Sequence, residues 1–224
     1  IFKIFCKDII SISNLHNYYL ANDSGINNRY NKIIVSWAQK NDFLSNGSYF
    51  DKYFKINSKD INESLWFLIY LDETLPEKIN NNILIFTKSK NFFKYNVFYL
   101  LQNILKNIIS SKFSLKKLFH KTSWYTEFSI IACNRLRKFI NDNVKIIIMP
   151  YEGQPFQNTI FKKSKEINNN IRTVGYVHSF PVGLPSNLIF RDGSPEEIIV
   201  NGDDQYACFT NHLDWNSSRL KILP

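Results

Sequence analysis

At 224 residues, 44% of them hydrophobic, the chain is long enough to bury one sizeable core, or one domain and part of a second, and its composition excludes a disordered polypeptide. A net charge of +9 draws polyanions, anionic lipid surfaces and phosphorylated substrates alike, so charge alone selects no partner. Cys6, Cys133 and Cys208 lie far apart without paired spacing, which excludes a disulfide framework and fits a reducing cytoplasm. No run reaches the length of a membrane span, and no charged-then-apolar leader opens the chain. Because it starts at Ile1 rather than Met and stops inside a strand-like pattern, the chain is expected to be a piece of a longer protein.

In chain order, Ile1 to Phe5 is apolar and the Asn-rich segment 14–31 has no clear period, so residues 1–31 stay unassigned. Lys32 to Trp37 predicts a strand, and a long polar loop with a turn at Asn46-Gly47 follows it. Leu65 to Leu71 and Ile83 to Phe86 predict two more strands. From Phe93 the period becomes helical, with Val97, Leu100, Leu101, Ile104 and Ile108 forming a stripe expected to cover a sheet face. A second helix is predicted from Ser123, carrying Trp124, Phe128, Ile131, Ala132, Leu136 and Phe139 on one side and Asn134, Arg135 and Lys138 on the other.

The next stretch organises the chain. Ile146 to Met149, closed by Pro150 and Gly153, has the pattern of a covered parallel strand. Pro155 suits the first turn of a helix, which would carry Phe156, Ile160, Phe161 and Ile167 on one side and Lys162, Lys163, Lys165 and Glu166 on the other. Thr173 to His178 is the next strand. Together these make one parallel βαβ unit, with Glu152 and His178 just past the carboxyl ends of their strands, where open α/β sheets bind ligands. Beyond Ser179, the breakers Pro181, Gly183, Pro185, Gly193 and Pro195 read as a linker. Glu197 to Val200, a helix over 203–215 and a strand over 219–223 then read as the start of a second domain. The sheet has at least five strands, and the element order predicts a Rossmann-like α/β fold.

His178 is the candidate general base, and Glu152 the carboxylate that orients it or binds a hydroxyl. Each has a plainer alternative: a histidine bonded to the linker backbone, and an acid at a helix N-terminus. Tyr151, Gln154 and Ser179, from the same two strand ends, and Asp42 and Asp51, from the loop after the first strand, are the substrate-binding candidates; loop acids are ordinarily just solvated. Asp203-Asp204 has no metal-pair spacing, and no metal site is expected. Glycine-rich dinucleotide and Walker loops are absent from the sequence. Lys112, Lys116, Lys117, His120 and Lys121 alternate with Phe113, Leu115, Leu118 and Phe119, which suits either an ordinary surface helix or one lying on anionic headgroups. No nucleic-acid-binding pattern accompanies the charge.

Tyr151-Glu-Gly-Gln-Pro-Phe156, Gly175-Tyr-Val-His-Ser179, the Pro-rich hinge and Pro195-Glu-Glu-Ile-Ile-Val-Asn-Gly202 together resemble glycosyltransferases of the GT-B fold that build bacterial surface polysaccharides. Ser36-Trp37, Asp42-Phe43, Asp51, Leu65-Trp66 and Tyr70-Leu-Asp72 look like sequences of O-antigen or capsule assembly. The resemblance implies an acceptor-side Rossmann-like domain over 1–190 and a linker and truncated donor-side domain over 191–224. It implies sugar transfer from a nucleotide-sugar to a glycan or lipid-linked acceptor, with no cofactor and no required metal. Cytoplasmic location, peripheral to the inner membrane face, follows from such acceptors. A sugar-nucleotide epimerase of the same fold, or a non-catalytic module binding glycan or anionic surface, are the alternatives.

Overall fold

The computed structural model describes residues 11–12, 15–24, 26, 29–61, 63–89, 97–110, 124–179 and 186–223. Its strands are β1 (Tyr18–Ala21), β2 (Lys32–Ala38), β3 (Phe50–Asp51), β4 (Ile56–Asn57), β5 (Ser64–Tyr70), β6 (Ile83–Lys88), β7 (Ile146–Pro150), β8 (Arg172–Tyr176), β9 (Glu197–Val200) and β10 (Leu220–Ile222). The α-helices are α1 (Val97–Ser110), α2 (Trp124–Leu136), α3 (Pro155–Ile167) and α4 (Asp203–His212). Eight strands form one sheet in the order β1-β6-β5-β2-β7-β8-β9-β10, parallel throughout except where β1 pairs antiparallel with β6. The protein is therefore α/β. From β6 to β9 the order is that of a doubly wound sheet, with strand succession running one way from β2 to β5 and β6 and the other way from β7 onward.

Continuous apolar runs form the central strands because both of their faces are covered. On one face, Ile33, Val35, Leu65, Phe67, Leu84 and Phe86 pack with Phe128, Ala132 and Leu136 of α2 and Phe156 and Ile160 of α3. On the other, Ile34, Trp66, Leu68, Ile83 and Ile85 pack with Phe43, Tyr49 and Phe54 from the connection between β2 and β5. Among the described residues that connection holds no α-helix. A two-stranded β3–β4 hairpin and its aromatic side chains provide the cover a crossover helix usually gives. Tyr49 is fully buried there, which stabilises by about 1.5–3 kcal/mol, and Phe43 and Phe54 are partly buried beside it.

Several expectations need correction. Residues 191–224 do not start a separate sheet: β9 pairs parallel with β8 through Val174↔Glu197, Gly175↔Ile198 and Tyr176↔Ile199, and β10 extends the same sheet. Ile198, Val200, Phe209 and Leu220 belong to the main core, so hydrophobic continuity overrides the breaker-rich linker as a boundary signal. Ile167 is exposed rather than packed. Leu101, expected to face the sheet, is 52% exposed. Arg135, expected to point away, reaches the Tyr18 carbonyl at 3.3 Å and ties α2 to β1. That strand lies in the segment sequence periodicity left unassigned. Phe93, the 112–121 basic segment, Cys6 and residues 181–185 of the hinge lie outside the described residues.

If β9 belongs to the one core, the chain unfolds in a single transition, and Ile198→Ala lowers its stability by about 2–5 kcal/mol. Urea denaturation followed by circular dichroism and tryptophan fluorescence checks this. Two separable transitions, with only one sensitive to Ile198, would contradict it.

Candidate functional site

The site grows out of the β7–β8 register. Pro150 pairs with Tyr176, so Glu152 and His178 each lie two residues past the last registered pair, on the carboxyl edge. His178 Nε2 approaches Glu152 Oε1 at 3.8 Å, an ion-pair separation too long for a direct hydrogen bond. The imidazole is 19% exposed and the carboxylate 44%. His178 Nδ1 is enclosed without a hydrogen-bond partner, so Nε2 is the nitrogen left to exchange a proton with a ligand. The other Glu152 oxygen accepts from Gln154 Nε2 at 2.7 Å.

A buried glutamine fixes the loop that carries Glu152. Gln157, fully buried in the first turn of α3, accepts from the Glu152 and Gln154 amides at 3.0 and 2.9 Å and donates to the Pro150 carbonyl at 2.6 Å. Gly153 makes the turn with φ +69°, a left-handed conformation that glycine adopts freely. Its missing side chain also leaves room for the 186–191 segment, since a Cβ there would lie 2.0 Å from the Asn187 carbonyl oxygen. Asn187 donates its side-chain amide to the Glu152 carbonyl, and Arg191 donates to the Gly153 carbonyl at 3.4 Å. Glu152 is thus held from both chain directions.

The roof over His178 comes from the loop after β2. Asp51 is fully buried and accepts from the Tyr49 hydroxyl and from the Tyr53 and Phe54 amides at 2.8, 2.8 and 2.7 Å. Those bonds set a turn that lays Tyr53 edge-on against the His178 ring, 4.7 Å between centroids, and stacks Phe54 on Tyr176 at 5.4 Å. Burial, and then the charges of Glu152, Asp51 and Asp42, raise the Tyr53 phenol above its ordinary value. Burial, with the Asp72 and Asp42 charges behind it, pushes Tyr70 up to about 12. Both phenols therefore stay protonated at neutral pH, and Tyr70 donates its hydroxyl to the Thr74 carbonyl at 2.6 Å.

Glu152, His178 and Gln154 come together as a cluster. Ser179 adjoins it, exposed, its carbonyl accepting from Gln205 Nε2 at 3.2 Å. Tyr151 turns inward: it is buried, with its hydroxyl donating to Asn158 at 2.9 Å. Asp42 accepts from the Gln39 amide at 2.8 Å and lies 3.9 Å from Lys52 Nζ. Asp42 and Asp51 are both engaged by their own loop, and Asp51 shapes the turn bearing Tyr53. Among the described residues no three His, Cys, Asp or Glu gather as a metal-ligand set. Burial pushes the Cys133 thiol up to about 12, which leaves it unreactive.

Three residues of the site were not picked out from sequence. Gln157 had a signal, because a glutamine three residues after an N-cap position is half of a capping box. Tyr53 had none; only the folded loop brings it to His178. Asn201 joins the edge by donating to the Val177 carbonyl at 2.8 Å and accepting from the Tyr176 hydroxyl at 2.9 Å. It opens a recess of about 480 Å³, lined also by Gly202, Asp203, Asp204 and Gln205, at the carboxyl end of β9. No family model matches the chain, and no curated protein is similar to it in sequence.

Gly153→Ala forces a β-carbon into the Asn187 carbonyl and a left-handed φ on alanine, so it destabilises the fold by about 2 kcal/mol or more. Urea titration measures this. A cost below roughly 0.5 kcal/mol, the range of a neutral surface change, would mean that the turn is not held as described.

Proposed function

We propose that the chain is part of a glycosyltransferase of the GT-B type, moving a sugar from a nucleotide-sugar to a hydroxyl of a surface-polysaccharide or lipid-linked acceptor. The observation that carries the proposal is the approach of His178 to Glu152 at the carboxyl edge of two adjacent parallel strands, with a recess at the carboxyl end of β9 on the same edge. In the reaction, the acceptor oxygen forms a bond to the anomeric carbon as the bond from that carbon to the donor phosphate breaks. The nucleoside phosphate leaves with the electron pair, and the hydroxyl proton goes to His178 Nε2. Glu152 stabilises the positive charge that develops on the ring.

Gln154 and Tyr53 stand at the rim of this cluster, positioned to hydrogen-bond sugar hydroxyls. As the resemblance implies, the reaction needs no metal. A transferase of this type also binds its donor through a second domain, and β9 and β10 belong to the same sheet as Glu152 and His178. The proposal therefore assigns the acceptor half of the reaction to these residues.

In the intact protein, His178→Ala lowers turnover by about 10²- to 10⁴-fold while nucleotide-sugar affinity stays close to that of the wild type. Glu152→Gln lowers it less, as befits a residue that acts through the ring. Nucleotide release from a panel of nucleotide-sugars in the presence of acceptor glycans reads both. Near-wild-type turnover of His178→Ala would remove the assignment.

A further inference from the structure

Helix α1 carries an apolar stripe that faces solvent. Phe98, Leu101, Leu105 and Ile109 are 71%, 52%, 58% and 72% exposed, and their spacing of three, four and four residues puts them on one side of the helix. A single exposed leucine needs no explanation, whereas an aligned row of four does. At 14 residues the helix is about 21 Å long, shorter than a bilayer core, and no described helix is long and apolar enough to cross a membrane.

The charge around it is one-sided. Between Lys88 and Thr126 the sequence holds eight lysines and not one Asp or Glu. The other 20 Lys and Arg nearly balance the chain's 19 Asp and Glu, so the net charge of +9 resides almost wholly in the stretch that contains α1. Lys106 is exposed beside the stripe, and Lys88 is exposed at the end of β6. An apolar row with the Lys106 cation at its margin, in a stretch of sequence whose charge is wholly positive, matches a surface that is apolar below and anionic above.

We propose that α1 is a docking element for an anionic lipid bilayer, lying in the plane of the interface with Phe98, Leu101, Leu105 and Ile109 among the acyl chains and Lys106 at the headgroup phosphates. A second copy of the chain fits worse, because it would bring two stretches of eight uncompensated lysines together. The proposal stands apart from the transferase reading, since the contact involves neither His178 nor Glu152.

Co-sedimentation with phosphatidylcholine vesicles, with and without about one-third phosphatidylglycerol, tests it. The chain binds the anionic vesicles at least tenfold more tightly, and raising salt from about 0.1 M to about 0.5 M weakens the binding. Leu101→Gln combined with Leu105→Gln lowers vesicle binding by tenfold or more. Independently, Lys88→Glu combined with Lys106→Glu does the same while leaving the apolar row intact; circular dichroism confirms the fold of each variant. Equal binding to both vesicle types, or no loss in either variant, would overturn the proposal. So would a concentration-dependent dimer, abolished by the leucine changes, in a protein that ignores vesicles.

Discussion

The parallel pairing of β7 with β8 is the constraint on which the rest of the structure depends. Side chains in a strand alternate with a period of two, so a one-residue slip would turn every residue of β8 to the opposite face. Thr173 and Val174, both buried, would exchange faces, and Glu152 and His178 would no longer leave the sheet at the same level. Gly175 reinforces this register, because a β-carbon there would lie 2.8 Å from the Tyr151 Cβ and push the two strand ends apart. Two catalytic candidates that are 26 positions apart in sequence are thus brought together by backbone hydrogen bonding and a missing side chain.

Position alone does not make a site rigid, and here rigidity comes from buried polar groups. Gln157 satisfies two amides and a carbonyl of the loop around Glu152 from inside the core, where leaving any one unpaired costs about 1–3 kcal/mol. Asp51 performs the equivalent task for the opposite wall by gathering two amides and a phenol. Each buried group orders a loop, and the loops present Glu152 and Tyr53 to the same imidazole. The arrangement suits a reaction in which a ring must hold its orientation while a proton moves.

Much of this could be read from the sequence. The runs at Lys32, Leu65, Ile83, Ile146, Thr173 and Glu197 all became strands of one sheet, since long apolar segments with turn residues at their ends have few alternatives. The βαβ unit and the edge positions of Glu152 and His178 followed from Pro150, Gly153 and Pro155. Three features did not follow. Tyr18–Ala21 is short and lies inside an Asn-rich segment, so its pairing with β6 is a tertiary effect with no local period. Gly193 and Pro195 precede a strand of the same sheet rather than a new one, because chain composition records local backbone freedom and not which strands pair. For the loop acids Asp42 and Asp51 the sequence offered a ligand contact or plain solvation, and it could not show that backbone amides of the folded loop bond both carboxylates.

The central claim is that Glu152 and His178 act as one unit. A double-mutant cycle on turnover of the intact protein tests it most directly, using His178→Ala, Glu152→Gln and the pair. If Glu152 acts through the ring, removing it from a protein that already lacks the ring changes little, and the double variant turns over at about the rate of His178→Ala alone. Independent losses that multiply in the double variant would contradict the account.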